Sequence, residues 1–396
     1  MTKPKLWTKD FLIISSTNFF IFLTFYLLMV TLTVFSVKQF DSSPSMAGLT
    51  SSIFVLGAVL VRPLTGKSIE QIGRKKMLYG SLIVFLISTL LYFEASTLSF
   101  LLIIRLIHGM SFGVASTATG TIVADIIPGS RRGEGMGYFA MSTNLAMAIG
   151  PFIGLFLSTH FTYHMVFLIA SIFAAFAFLA TIFLHVPVAM LTKEQLDSMK
   201  GYKLRDLFEF AALPIAILSG IVGLTYSSIL SFLTSYSQEI DMVSTASFFF
   251  VMYAVFLLIT RPFTGQWFDL KGENFVIYPS LILYTVGLVI LSQVNHSFLL
   301  LIAGALIGIG LGTYQSSAQT IALKLSPPHR VGLATSTFFV MYDLGIGTGP
   351  FLLGYYIPVV GYRGLYLTMA VIAFICIGIY YYIHGRKAKV VKQQQL

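Results

Sequence analysis

The sequence predicts an all-α membrane protein with twelve transmembrane helices in two pseudo-symmetric six-helix bundles. Three observations carry that prediction. Of 396 residues, 56% are hydrophobic and only 10% charged, against roughly 25% charged in soluble globular proteins. Apolar stretches of about 20 residues, enough to cross a ~30 Å hydrocarbon core as a helix, recur along the whole chain. The pattern Arg-Pro-x-Thr-Gly occurs twice, at Arg62 and Arg261 (261 − 62 = 199 residues apart), each time just after a long apolar run.

The apolar runs place spans near 11–36, 47–66, 78–95, 98–121, 135–158 and 163–186, then near 210–233, 246–268, 275–294, 298–323, 332–356 and 363–384. The first is too long for a signal peptide and lacks a small-residue cleavage site, so it reads as an anchor. A polar segment containing TKEQLDSMKGYKLRD separates the two sets. The expected organisation is a six-helix bundle over 1–186, a cytoplasmic linker over 187–209, and a second bundle over 210–396 ending in a short cytoplasmic tail.

Twelve spans put both termini on one side. Loops on that side hold twenty of the 25 Lys and Arg, whereas the opposite loops hold only Lys38 and Arg363. By the positive-inside rule the basic side is cytoplasmic, so the expected setting is a bacterial-type plasma membrane with both termini inside. The basic excess is thereby a topology signal and gives no support to nucleic-acid binding. The single cysteine, Cys376, allows neither a disulfide framework nor a cysteine metal site. No phosphate-cradling loop pattern and no His/Cys/Asp cluster at metal-ligand spacing is present, which argues against an ATP-driven pump and a membrane-embedded enzyme. No catalytic or metal-binding residue is expected.

The 199-residue offset persists beyond the opening motif. Gly109 falls on Gly308, Gly113 on Gly312, Pro128 on Pro327, Arg131 on Arg330, Gly133 on Gly332, Gly150 on Gly349 and Pro151 on Pro350. The chain is therefore two six-helix halves duplicated in parallel orientation, a layout used by alternating-access transporters. A passive channel does not require it.

These residues carry a family resemblance. GKSIEQIGRKK, Gly66 to Lys76, is similar to the loop signature of the major facilitator superfamily between helices 2 and 3: Gly66, an acid at Glu70, Gly73, then Arg74 and a further base. Glu70 replaces the more usual Asp and Gln71 a common Arg. LLIIRLIHGMSFGVA, from Leu101, resembles the helix-4 pattern of proton-coupled members, with Arg four residues before Gly. GPFIG, from Gly150, resembles the helix-5 Gly-Pro signature of drug–proton antiporters, with Ala146 where that pattern begins with Gly. Helix 1 lacks the proline-rich ending and membrane acid of many multidrug members. The resemblance implies the major-facilitator fold and a proton-coupled exporter of small amphiphilic molecules. It would work as a monomer in the lipid bilayer, with no cofactor beyond the proton gradient. The alternative is a dedicated exporter or proton-coupled importer of one metabolite, such as a sugar or a metal-chelating compound.

Individual residues have expected roles. Gly66 and Gly73 provide a tight turn or close approach, Glu70 is placed to meet a helix N-terminus or a base, and Arg74 can pair with Asp125 at the end of helix 4. Together they would form a gating latch. Charged groups at membrane depth default to function. Arg105 enters helix 4 about 10 Å deep, and Asp343 lies about 16 Å into helix 11 by the helical rise. His108 shares the Arg105 face at i+3. The offset pairs Asp343 with Asn144 (343 − 199 = 144), an acid against an amide. Asp343, Arg105 and His108 are thus the proton-coupling candidates. Asn18, Tyr26, Asn144, Tyr226, Gln315, Gln319 and Tyr342 are candidates to line a substrate cavity. Gly150-Pro151 and Gly349-Pro350 would bend helices 5 and 11 while allowing close packing. Glu94 reads as interfacial. Arg62 and Arg261 are expected at the cytoplasmic ends of helices 2 and 8, where long basic side chains snorkel.

Overall fold

A computed structural model describes residues 4–42, 44–186 and 204–386; most of the expected linker, 187–203, and the tail, 387–396, lie outside the described residues. The first half consists of α1 (Lys9–Phe40), α2 (Pro44–Ile72), α3 (Arg74–Leu91), α4 (Leu98–Ile126), α5 (Arg132–His160) and α6 (Tyr163–Ile182). After a short turn at Leu204–Leu207 come α7 (Leu213–Glu239), α8 (Val243–Lys271), α9 (Glu273–Ser292) and α10 (Ser297–Lys324). The helical run Val331–Tyr380 breaks at Gly361, where φ is 68°, into α11 (331–360) and α12 (362–380). Among the described residues twelve long helices result, as expected, and no strand occurs.

Local chemistry sets the boundaries. The Phe11 amide donates to Thr8 Oγ1 at 3.2 Å and starts α1; the Phe100 amide donates to Thr97 Oγ1 at 3.2 Å and starts α4. Each satisfies one of the donors that a helix start leaves open. Gly73 between α2 and α3 has φ 99°, and Gly272 between α8 and α9 has φ 91°. Both hold a backbone conformation that side-chain-bearing residues rarely adopt, and they are 199 residues apart. The loop glycine was expected for this reason.

The repeat extends to the helix contacts. In the first half α2 crosses α4 closely; a Cβ on Gly109 would lie 2.8 Å from Phe54 Cα, and on Gly113 2.8 Å from Ala58 Cα. In the second half α8 crosses α10 in the same register, with Gly308 against Tyr253 (54 + 199 = 253) and Gly312 against Leu257 (58 + 199 = 257). Small residues let such backbones approach, as packing in lipid requires.

The described contacts divide the chain into two compact units. The first comprises Met1–Pro128, Ser142–Glu209 and Pro327–Thr337; the second comprises Gly129–Met141, Phe210–Ser326 and Phe338–Leu396. Each unit thus holds most of one half plus the first turns of one helix from the other half, α11 in the first unit and α5 in the second. In the first unit Leu27, Leu28, Leu32, Phe35, Leu101, Ile104, Val166 and Phe167 form an apolar core joining α1, α4 and α6. Outward-facing Phe152, Phe156 and Phe176 stay exposed, as lipid-facing side chains can.

Two expectations need correction. Arg62 and Arg261 do not end their helices: α2 continues ten residues to Ile72 and α8 ten residues to Lys271. Both arginines are buried, at 1% and 2% exposure, and do not snorkel. Pro63 and Pro262 lie inside continuous helices, as membrane helices tolerate where neighbouring helices, hydroxyl side chains or local adjustments re-satisfy the freed backbone.

Candidate functional site

At the end of the first unit that carries the loop motif, Arg74 is the hub. Its Nε donates to both Glu70 oxygens at 2.9 and 3.0 Å, and its Nη2 donates to Glu70 Oε1 at 2.5 Å. Nη1 donates to Asp125 at the end of α4. Only 3% of the Arg74 and Glu70 side chains is exposed, so this pair is desolvated and geometrically fixed. The first turns of α11 lie against α2 here. Ser336 Oγ donates to the Arg62 carbonyl at 2.5 Å, the Glu209 amide donates to Thr337 Oγ1 at 2.9 Å, and Arg330 pairs with Glu209. Gly66 makes room for them: a Cβ there would lie 2.9 Å from Ser336 Oγ and 3.0 Å from the Gly332 carbonyl.

The second unit repeats the arrangement with altered charges. Asp269, the mate of Glu70, accepts from the Gly133 and Glu134 amides at 2.8 and 2.9 Å. It caps the start of α5, where a helix N-terminus favours negative charge. Glu134 is held in turn by Arg131 at 2.7 and 2.8 Å. Glu273 stands where Arg74 stands in the first half, and Lys324 where Asp125 stands (125 + 199 = 324). The ion pair is therefore inverted, Lys324 Nζ to Glu273 Oε1 at 3.5 Å, with His384 bonded to the other carboxylate oxygen.

At membrane depth in the first unit, Arg105 and His108 meet through Tyr92. The Tyr92 hydroxyl lies 2.9 Å from His108 Nδ1 and accepts from Arg105 Nη1 at 3.5 Å. Arg105 Nε donates to the Thr50 carbonyl at 2.8 Å, and its guanidinium lies 4.3 Å from the Phe54 ring centre. Both residues are fully buried, and Arg105 Nη2 and His108 Nε2 have no partner among the described residues. Asn18 is saturated: Nδ2 donates to Ser142 and Thr143 at 2.8 and 2.9 Å, and Oδ1 accepts from Thr119 at 3.0 Å. It ties α1 to α4 and α5. Asn144 is buried with Nδ2 unpartnered. Tyr26 is half-buried beside Gly150, whose Cβ would lie 2.7 Å from Tyr26 Cβ.

In the second unit Tyr226 stacks on Tyr253 at 6.3 Å and Tyr342 on Phe338 at 6.1 Å. Gln315 is half-buried, whereas Gln319 is buried with Nε2 unpartnered. Asp343 is half-buried on α11. Met341, Tyr342, Gly345 and Gly349 of that helix lie against Gly220, Gly223, Leu224 and Ser227 of α7. Gly150 packs α5 on α1 in the matching way. The Gly-Pro pairs thus stand at close helix crossings, and α5 stays helical through Pro151, α11 through Pro350.

Sequence reasoning missed three features. Tyr92 had no pattern to mark it. Asp269 could have been found as the offset mate of Glu70 (70 + 199 = 269). Arg62 and Arg261 were visible but assigned to helix ends; in fact Arg62 Nη1 donates to Ser116 and Thr117 at 3.0 and 3.2 Å, and Arg261 bonds the equivalent part of α10.

Duplicated six-helix halves, with each loop motif set against the first turns of a helix from the other half, define a polytopic membrane transporter. The chain belongs to the Major Facilitator Superfamily, whose model matches residues 14–275 and 215–395; it is not an enzyme. It is 26% identical over 359 residues to a homolog of the multi-drug resistance efflux pump PmrA from Lactococcus lactis, covering 88% of each chain. It is 24% identical over 344 residues to an uncharacterized MFS-type transporter of Methanocaldococcus jannaschii, covering 85% of this chain and 88% of that one. A 180-residue stretch, 45% of this chain and 46% of the relative, is 28% identical to the quinolone resistance protein NorA of Staphylococcus aureus. Among solved structures, the human organic anion transporter MFSD10 superposes with TM-score 0.74 at 17% identity, covering 95% of this chain and all of that one. FucP in its outward conformation superposes with TM-score 0.74 at 16% identity, covering 96% of this chain and 99% of that one. At these identities the likeness speaks for the fold.

Proposed function

We propose that the protein is a proton-driven exporter of small amphiphilic molecules, working by alternating access as a monomer in a bacterial-type plasma membrane with its basic loops in the cytoplasm. The observation that carries the proton coupling is the position of Asp343. The other carboxylates among the described residues lie in loops or in terminal turns of helices. Asp343 alone among them stands in a helix interior, twelve residues after Val331, about 18 Å along the axis. An ionisable group there is costly and defaults to function. The first half carries Asn144 at the matched position, so only the second half has a carboxyl there. Export of amphiphiles is supported by the two relatives named for drug resistance. Arg105 and His108, joined by Tyr92, modulate the coupling. The Arg74 and Asp269 clusters act as the latch, holding the first turns of α11 and α5 in one state and releasing them in the other. The protein needs no cofactor beyond the gradient.

The test is movement of ethidium, a fluoroquinolone, a sugar and a metal chelator in inverted vesicles, with and without an uncoupler. Uncoupler-sensitive movement of ethidium or the fluoroquinolone is the expected result. Movement of the sugar or chelator alone would replace the substrate class with a single metabolite. Movement insensitive to the uncoupler would remove the proton from the mechanism.

A further inference from the structure

Arg261 is a buried cation with no part in the coupling or the latch. It stands ten residues inside the end of α8 and is 2% exposed. Nη2 donates to the Gly312 carbonyl at 2.8 Å, and Nη1 donates to the Ser316 hydroxyl. These bonds use two of the five N–H donors of a guanidinium. Both acceptors are uncharged, and Nε has no partner among the described residues. The carboxylates on the same α5–α8 seam are engaged elsewhere: Glu134 is held by Arg131, and Asp269 caps α5. Among the described residues no carboxylate pairs with it; a desolvated arginine without a counter-charge is expensive to keep, and inside a membrane such a residue marks a substrate or ion path.

The neighbouring face of α10 has the same character. Gly312, Ser316 and Gln319 follow at i, i+4 and i+7 and so share one face. Gln319 is 4% exposed, and its Nε2 has no partner. Two unsatisfied buried N–H groups on adjoining helices call for an acceptor. What covers Arg261 is the start of α5: a Cβ on Gly137 would lie 3.6 Å from Arg261 Cδ and 3.8 Å from Nη1. Because residue 137 is glycine, that segment can rest on the guanidinium, and its withdrawal would uncover the group.

We propose that Arg261, with Gln319 beside it, is the subsite for a carboxylate on the transported molecule, reached when the first turns of α5 leave α8. The planar fork of arginine suits a carboxylate, and the anion supplies the missing counter-charge. The substrate class is then amphiphiles bearing a carboxylate, zwitterions included, in preference to purely cationic ones. This rests on the reading of the chain as a carrier of amphiphilic small molecules.

The test is equilibrium binding of rhodamine 110, which has a free carboxylate, and rhodamine 123, its methyl ester, to the purified full chain in detergent. Binding is read by fluorescence polarisation with no gradient present. The wild type should prefer rhodamine 110 by roughly ten-fold or more, the scale of one charge-assisted hydrogen-bonded pair. R261Q should abolish that preference, and Q319L should reduce it. If R261Q does not fold, R261K decides, since it keeps the charge and loses the fork, and most of the preference should still disappear. An unchanged preference in R261Q or R261K, a wild-type preference for the ester, or no binding of either dye would each overturn the proposal. Flux is read separately. Gradient-driven export with a preference indifferent to residue 261 would sink the subsite alone. Gradient-independent flux with an Arg261-dependent preference would sink the export reading alone.

Discussion

Adding one methyl group at Gly66 should loosen the seam between α2 and the start of α11. A Cβ there would lie 2.9 Å from Ser336 Oγ and 3.0 Å from the Gly332 carbonyl, and nearer still to Ser336 Cβ. The carbonyl belongs to a helix and cannot rotate away, so the first turns of α11 must shift. Overpacking of this kind costs about 1–3 kcal/mol, which changes a two-state population by roughly 5- to 150-fold. The readout uses a cysteine at position 336. Ser336 is fully buried, and Cys376 is the only native cysteine, so S336C in a C376A background reports solely on exposure of this seam. A water-soluble maleimide should label G66A/S336C/C376A roughly 5- to 150-fold faster than its Gly66 parent. Equal rates would show that close packing at Gly66 does not hold α11 in place, and the latch would reduce to an ordinary turn.

Substitutions at two further positions probe the buried polar groups. R74A leaves Glu70 and Asp125 without their shared partner; breaking a buried pair costs about 3–5 kcal/mol, and the thermal midpoint in detergent should fall by roughly 6–20 °C. R74K, which keeps the charge and loses the fork, should lose about half as much, and no loss in R74K would mean that the fork geometry is irrelevant. N18L removes three hydrogen bonds that join α1 to α4 and α5 and should cost about 2–4 kcal/mol while leaving flux responsive to the gradient. Lost drive at unchanged thermal stability would instead place Asn18 in the transport mechanism.

The duplication was legible in the sequence because glycine, proline and arginine hold their spacing wherever backbones approach or turn. The structure returns the same offset in Gly73 and Gly272, and in the helix crossings at Gly109 and Gly308. The tie of Arg74 to Asp125 was legible as well, since loop length and helix ends bring opposite charges together. What could not be read was orientation within the bilayer plane. A helix that is apolar all round has no period to show which face is buried, so Asn18 and Gln319 looked alike. One is saturated by three neighbours and the other is left with an open donor. Arg62 and Arg261 were misplaced for a related reason: a basic residue late in an apolar run marks a helix end only if the helix stops, and here hydroxyls on the adjoining helix hold the guanidinium inside the bundle. The inverted charges at Glu273 and Lys324 needed only the offset to be followed further.

The measurement that bears most directly on the account is gradient-driven movement by D343N, reconstituted in proteoliposomes with an imposed pH difference and a fluoroquinolone as cargo. Wild type should move the drug against its gradient. D343N should fail to do so while still equilibrating it downhill, because the amide keeps the shape of the carboxyl and cannot exchange a proton. Uphill movement by D343N at the wild-type rate would contradict the assignment of coupling to Asp343.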